Sequence, residues 1–248
     1  MKKFLLYILL LIWLNTPALA DFVFSPNVVN PNGGGPGPFL ETQGDAPSIR
    51  YQQVYAASTF LSFSPVPVNI TELSFSQIPG FPLDVNLASI DIRLSTSTRA
   101  PDGLSPIVSQ NVGIDDTLVY SGSLHFSIST AETYGVHVGL QHPFFYNPQG
   151  GNLLLDVRNF QTLPGPPFTV GGLYGNFMTG DSVSSVISIN VNAATGSPGT
   201  EGLLTRFTVT AIPEPSISLL IFPGLAACIL CRRMIPQTQT GPYSIRRP

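Results

Sequence analysis

The chain has 248 residues, 43% of them hydrophobic and only 10% charged, with 24 Pro, 23 Gly and two Cys. Its basic residues cluster at the ends: residues 21–212 keep Arg50, Arg93, Arg99, Arg158 and Arg206 against every carboxylate but Glu214, a net charge of five minus thirteen, or −8. An acidic surface without a basic stripe repels phosphate backbones and excludes nucleic acid as a partner, and with the cysteines at Cys228 and Cys231 the central part has no disulfide to hold it.

Lys2-Lys3, the apolar run Phe4 to Leu14 and the small-residue site Ala18-Leu19-Ala20 have the three-part layout of a secretory signal peptide, residues 1–20, with cleavage expected after Ala20. About 11 apolar residues are too few to span a bilayer. Residues 21–48 are expected to form a flexible Pro/Gly-rich leader, because Asn30-Pro31-Asn32-Gly33-Gly34-Gly35-Pro36-Gly37-Pro38 has no apolar period to offset the entropy of ordering. A Gly-rich phosphate loop would need a strand before it, a helix after it and usually a lysine, and all three are missing.

From Ile49 to Ile212 the pattern has period two, the signature of half-buried strands. Ile90, Ile92 and Leu94 alternate with Asp91, Arg93 and Ser95; Leu124, Phe126 and Ile128 alternate with His125, Ser127 and Ser129. The same spacing joins Tyr134, Val136, Val138 and Leu140; Leu153, Leu155 and Val157; Ile187, Ile189 and Val191; and Leu203, Thr205, Phe207 and Val209. Turn formers such as Ile78-Pro79-Gly80, Pro101-Asp102-Gly103, Pro148-Gln149-Gly150-Gly151 and Gly196-Ser197-Pro198-Gly199 separate them. With no amphipathic helix of normal length, strands must cover strands. Residues 49–212 are therefore expected to be an all-β, antiparallel β-sandwich of jelly-roll type; a propeller or solenoid would need repeats at fixed spacing.

The chemistry-bearing residues are sparse. His125 and His137 fall on the polar phase of their strands, where two neighbours would make a metal pair or simply a solvated face; His142 is the third histidine. No G-x-S-x-G, H-E-x-x-H or extramembrane C-x-x-C supports a hydrolase or metalloprotease. Paired carboxylates run glycoside hydrolysis, but Asp84, Asp91, Asp102, Asp115, Asp116, Glu132, Asp156 and Asp181 are scattered, and pairing of Asp91 with Arg93 and Asp156 with Arg158 is the simpler expectation. No cofactor is expected beyond a structural calcium at Asp115 and Asp116, where Asn111-Val112-Gly113-Ile114-Asp115-Asp116 clusters oxygen ligands beside a glycine bend, although Asx residues also simply make turns. Asn69-Ile70-Thr71 is a formal glycosylation sequon inside a strand. Tyr51, Tyr55, Tyr120, Phe144, Phe145 and Tyr146 are the candidate sugar-stacking platforms of a carbohydrate-binding module; core or rim packing is the other role open to them.

Pro215 to Cys231 carries no charge and, at roughly 17 residues of 1.5 Å rise, makes a short single transmembrane helix, with Pro223-Gly224 loosening its middle. Arg232 and Arg233 are costly to move through hydrocarbon, so they act as a stop-transfer pair and leave the N-terminal part outside. Residues 234–248 follow as a polar cytoplasmic tail. Cys228-Ile229-Leu230-Cys231 has no partner ligands and is read as part of the span.

Pro213-Glu214-Pro215, the short apolar helix and the arginine pair, preceded by Arg206 to Ile212, closely resemble the PEP-CTERM sorting signal of Gram-negative bacteria. The resemblance implies that residues 213–233 are a sorting and anchor segment, cut at or near Pro213-Glu214-Pro215 by an exosortase, a membrane-embedded cysteine protease-transpeptidase, with release from a membrane-anchored precursor to the cell surface or extracellular polysaccharide. The tail beyond Arg233 departs from the family, which normally ends within a few residues of its arginines. Arg50 to Tyr55, Ile92 to Thr96, Asn111 to Thr117 and Gly151 to Val157 also resemble a recurrent group of PEP-CTERM ectodomains with no assigned activity. The expected function is that of an exported, non-enzymatic surface protein with a structural or adhesive role. A carbohydrate-binding module is the competing class and a glycan-active enzyme a more distant one.

Overall fold

The computed structural model describes residues 20–26, 34–35, 38–39, 48–78, 83–128, 133–160 and 173–212. The signal peptide up to Leu19, the motif Pro213-Glu214-Pro215, the span, Arg232-Arg233 and the tail lie outside the described residues, among which no helix is long and apolar enough to cross a membrane.

The described part is all-β. In chain order its strands are β1 (Ala20–Ser25), β2 (Gly34–Gly35), β3 (Ile49–Tyr55), β4 (Val68–Phe75), β5 (Leu83–Ser97), β6 (Thr117–Ile128), β7 (Val136–Tyr146), β8 (Asn152–Asn159), β9 (Leu173–Asn176), β10 (Val183–Ser188), β11 (Ser197–Gly199), β12 (Gly202–Leu203) and β13 (Thr205–Ala211). Five residues, Ala57–Leu61, form α1, the one α-helix among the described residues. Every pairing is antiparallel, in a four-stranded sheet ordered β1-β13-β4-β7, a six-stranded sheet ordered β11-β10-β3-β8-β5-β6 and a small sheet β12-β9-β2.

The two large sheets share one core. Phe207 of β13 meets Tyr55 of β3 edge-on at 4.9 Å, and the Tyr55 hydroxyl reaches Thr205 Oγ1 at 2.8 Å. Phe60 of α1 wedges between Tyr146 and Phe207 at 4.9 and 5.0 Å, closing one end. The period-two sets Ile90/Ile92/Leu94, Leu153/Leu155/Val157 and Leu203/Thr205/Phe207/Val209 all point into buried positions. Ile187, Ile189 and Val191 do not form one such face: β10 stops at Ser188, Val183 and Val186 are its buried apolar residues, and Ile189 is exposed.

Two further expectations are corrected. The supposed leader over 21–48 is tied down at three described places. Its β1 pairs with β13 from Ala20 opposite Thr210 to Ser25 opposite Thr205, Gly34–Gly35 pairs with β9, and Phe39 is buried against Phe75 at 4.9 Å. Val23 and Phe39 are large apolar residues whose burial supplies the free energy that the surrounding Gly and Pro cannot. Nor do all strands present one apolar face: β3 and β8 are buried on both. The segment before β6 folds over the outer side of the six-stranded sheet, and Leu104 and Val108 form a second small core with Val54, Leu154 and Val186.

A buried polar cluster fixes that cover. Arg50 donates from Nε and Nη2 to the two oxygens of Asp156 at 3.0 and 2.5 Å, Gln52 Nε2 donates to Asp156 and to the Val108 carbonyl at 3.2 and 3.1 Å, and Asn111 Nδ2 donates to Gln52 Oε1 at 2.9 Å. Gln52, Asn111 and Asp156 are buried and Arg50 nearly so, and the hydrogen bonds are what make that burial tolerable.

Candidate functional site

The loop nominated for calcium is built as a turn lock. Asn111 is buried and faces inward, its Oδ1 accepting the Ser105 N–H at 2.8 Å. Asp115 Oδ1 accepts the Thr96 N–H at 2.7 Å, and its carbonyl accepts the Thr117 hydroxyl at 2.8 Å. Asp116 takes Arg93 Nε on both oxygens, at 3.0 and 2.9 Å, and Arg93 Nη2 at 2.8 Å. The hydrogen bond to Asp116 holds the Arg93 guanidinium above its ordinary value against the opposing effect of burial. A calcium ion would have to displace Arg93, and among the described residues no group of three or more His, Cys, Asp or Glu is placed to hold a metal. Gly113 completes the lock: a Cβ there would stand 1.9 Å from the Thr96 carbonyl oxygen, so only glycine lets the loop lie on β5.

The histidines are separated by the fold. His125 sits in the six-stranded sheet, 3.2 Å from Asp84 and well exposed, while His137 and His142 belong to β7 of the other sheet. The carboxylates are likewise engaged locally. Asp91 accepts the Ser121 hydroxyl at 2.7 Å and not Arg93, Asp156 takes Arg50 more closely than Arg158 at 3.5 Å, and Asp102 accepts the Gly180 N–H at 2.7 Å. Asp181 accepts the Asn176 amide at 2.6 Å and the Val183 N–H at 2.8 Å; burial, aided by the negative charge of Asp102, pushes its carboxyl up. Glu132 lies outside the described residues.

Of the six nominated aromatics, Tyr51, Tyr55, Phe144 and Tyr146 are core residues, and Tyr120 is half-buried with its hydroxyl on the Ser123 carbonyl. Phe145 alone of the six is open, at 57% exposure. Two further exposed rings sit on β1, in the stretch read as leader: Phe22 and Phe24 are 46% and 44% exposed, and Phe160 and Phe177 are open elsewhere at 42% and 41%. Residues 21–25, Asp-Phe-Val-Phe-Ser, carry the aromatic and β-branched composition of a strand, and that was the available signal.

Register places these rings at one end of a mixed row across the outer face of the four-stranded sheet. Phe24 lies opposite Arg206, Arg206 opposite Ser74 and Ser74 opposite His137; in the next row Phe22 faces Thr208 and Thr208 faces Glu72, with Gly139 beyond. Arg206 lies over the Phe22 ring at 4.7 Å and over Tyr134 at 5.4 Å, and Phe24 meets Tyr134 at 5.4 Å. Its Nη2 donates to Ser74 Oγ at 3.1 Å and lies 3.7 Å from Glu72 Oε1, which accepts the Ser74 hydroxyl at 2.9 Å and has His137 Nδ1 at 3.2 Å. Burial pushes the Glu72 carboxyl up, but the hydrogen bonds from Ser74 and His137 and the charges of His137 and Arg206 outweigh it and leave it below its usual value. Burial also raises the Tyr134 hydroxyl, with Arg206 opposing. Beside the same two phenylalanines a cleft of about 360 Å³ opens between β1 and the α1 end, lined by Phe22, Val23, Phe24, Thr59, Ser62 and Phe63.

Comparison of the chain with protein-family models, with curated proteins and with solved structures finds no match.

Proposed function

We propose that the chain is an exported surface protein whose β domain is a non-catalytic structural or adhesive module of the envelope or extracellular polysaccharide. In this reading the domain is a jelly-roll sandwich. The support is strand order: leaving out the small sheet and the β10-β11 extension, the eight remaining strands run first-eighth-third-sixth in one sheet and second-seventh-fourth-fifth in the other, the arrangement of two interlocked Greek keys.

The observation that carries the non-catalytic part is the engagement of the nominated carboxylates. Asp91, Asp102, Asp116, Asp156 and Asp181 each hold a neighbouring strand or loop, which is a scaffold's use of charge. Adhesion falls to the aromatic and polar outer face of the four-stranded sheet, whose first and last strands are also the ends of the domain: Ala20 lies opposite Thr210, and Ile212 N donates to the Pro67 carbonyl at 3.0 Å. A signal peptide removed after Ala20 starts the chain outward, the span and Arg232-Arg233 halt transfer, and an exosortase reads Pro213-Glu214-Pro215, two prolines keeping that motif extended.

Fractionation with immunoblotting in a host that has an exosortase and in one that lacks it tests the routing. Wild type is expected to be shortened and released only in the first, and replacement of Pro213, Glu214 and Pro215 by alanine to leave a longer, membrane-retained species. Equal size and release of wild type in both hosts would refute the sorting role.

A further inference from the structure

We propose that the cleft between β1 and α1 is a binding site for one ring of a neutral polysaccharide. The assignment rests on the adhesive reading above and gives that reading a ligand class. The cleft combines three aromatic residues, Phe22, Phe24 and Phe63, with two hydroxyl residues, Thr59 and Ser62, over an apolar floor at Val23. A pyranose has the matching surfaces: an apolar C–H face that stacks on a ring's negative π cloud, and an edge of hydroxyls that exchange hydrogen bonds with Thr and Ser. At about 360 Å³ the cleft lies within the range that holds small ligands, which is roughly 300–1,000 Å³.

Two observations narrow the ligand. Thr59 is 7% exposed and its hydroxyl has no hydrogen-bond partner among the described residues, a cost a buried polar group rarely bears unless something else satisfies it. Ser62 differs, because it already donates to the Ser58 carbonyl at 2.8 Å and has only acceptor capacity to offer. No charged side chain lines the cleft, and residues 21–212 carry a net charge of five minus thirteen, or −8, so a polyanionic glycan would be repelled while a neutral one is not. Arg206, the nearby cation, is occupied over Phe22 and Tyr134 and on Ser74, which holds Phe22 at the wall of the cleft.

The test is saturation-transfer NMR on the full chain in a sugar-free detergent, with cello- and manno-oligosaccharides as neutral probes and oligogalacturonate as the anionic one. Transfer to ring C–H protons of a neutral probe is expected, at a Kd on the order of 1 mM for so small a contact. Thr59→Val should weaken binding about tenfold while the melting temperature holds or rises, since the hydroxyl has no partner to lose among the described residues. Phe24→Leu should weaken it similarly, and His125→Ala, in the other sheet, should leave it unchanged. Absence of transfer to every neutral probe, preference for oligogalacturonate, or wild-type binding by both Thr59→Val and Phe24→Leu would overturn the assignment. Because binding is read on purified protein, its failure is separable from a failure of sorting.

Discussion

Replacement of Asp156 by alanine is expected to be the most damaging single change in the six-stranded sheet. The Asp156 side chain is 3% exposed and that of Arg50 11%, and their two hydrogen bonds at 3.0 and 2.5 Å are joined by one from Gln52 at 3.2 Å. Removing the carboxylate leaves the Arg50 charge buried without its partner, a loss of about 3–5 kcal/mol. Arg158 adds little, because at 31% exposure it can turn to water. For a domain of this size about 2–4 °C of melting temperature accompanies each kcal/mol, so the midpoint should fall by roughly 6–20 °C. Thermal and urea unfolding followed by far-ultraviolet circular dichroism measure the midpoint shift and the free-energy loss. The double change Arg50→Met with Asp156→Leu should recover most of the loss, because neither charge is then stranded. A loss below about 1 kcal/mol for Asp156→Ala, the scale of a surface pair, or a double variant no better than the single one, would refute the buried-pair argument.

Gly113→Ala should destabilise by about 1–3 kcal/mol, since its Cβ meets the Thr96 carbonyl oxygen at 1.9 Å, whereas Gly139→Ala, with open space around the new methyl, should be silent in the same urea titration. Equal stability of the two variants would remove the turn lock. Millimolar calcium or a chelator should leave the melting temperature unchanged, because Asp116 is held by Arg93 and Asp115 by Thr96; a rise with calcium would show that the ion displaces them. Glu72 has a folded pKa below its unfolded one, so its contribution is present above the unfolded value and is lost as pH falls through the folded value. Glu72→Gln should therefore flatten the acid limb of stability against pH, and an unchanged limb would show that the Arg206-Glu72-His137 group carries no linkage.

Strands with one face in the core and one in water were readable from their alternation, and β5, β6 and β13 follow it. Legibility failed where both faces are covered. In β3 the residues Gln52, Gln53 and Val54 are all buried, and a run of polar and apolar residues without a wet face has no period to detect. Gln52 and Asp156 are polar residues buried under the segment that carries Asn111, and Asn111 meets Gln52 across 59 residues of chain. The aromatic surface was missed for a related reason. Tyr51 and Tyr55, candidate stacking platforms with core packing as their other role, lie in a strand that is flanked by β8 and β10 and covered on both sides and so exposes no ring, while Phe22 and Phe24 on the sheet edge do. The metal reading of Asn111 to Asp116 counted oxygens, and sequence does not say which oxygens already face an arginine or a backbone N–H.

The position of β13 settles how these parts come together. It is the last strand in the chain and yet lies between the first strand, β1, and the third of the large strands, β4. The four-stranded sheet therefore cannot close until residues 205–211 are available, and contacts between positions as far apart as Ala20 and Thr210 carry a large loop-closure entropy. Until then β1 has no partner strand, and Phe22, Val23 and Phe24 are open to solvent next to the expected cleavage point at Ala20. A protease needs an extended, unpaired segment, so removal of a signal peptide there fits the interval before β13 docks, not the folded state, in which Ala20 is the first paired residue of β1. The same docking seats Arg206 over Phe22 and sets Thr208 beside Glu72, so the outer face and the β1 side of the aromatic cleft are completed by the strand that immediately precedes Pro213-Glu214-Pro215, the proposed sorting motif.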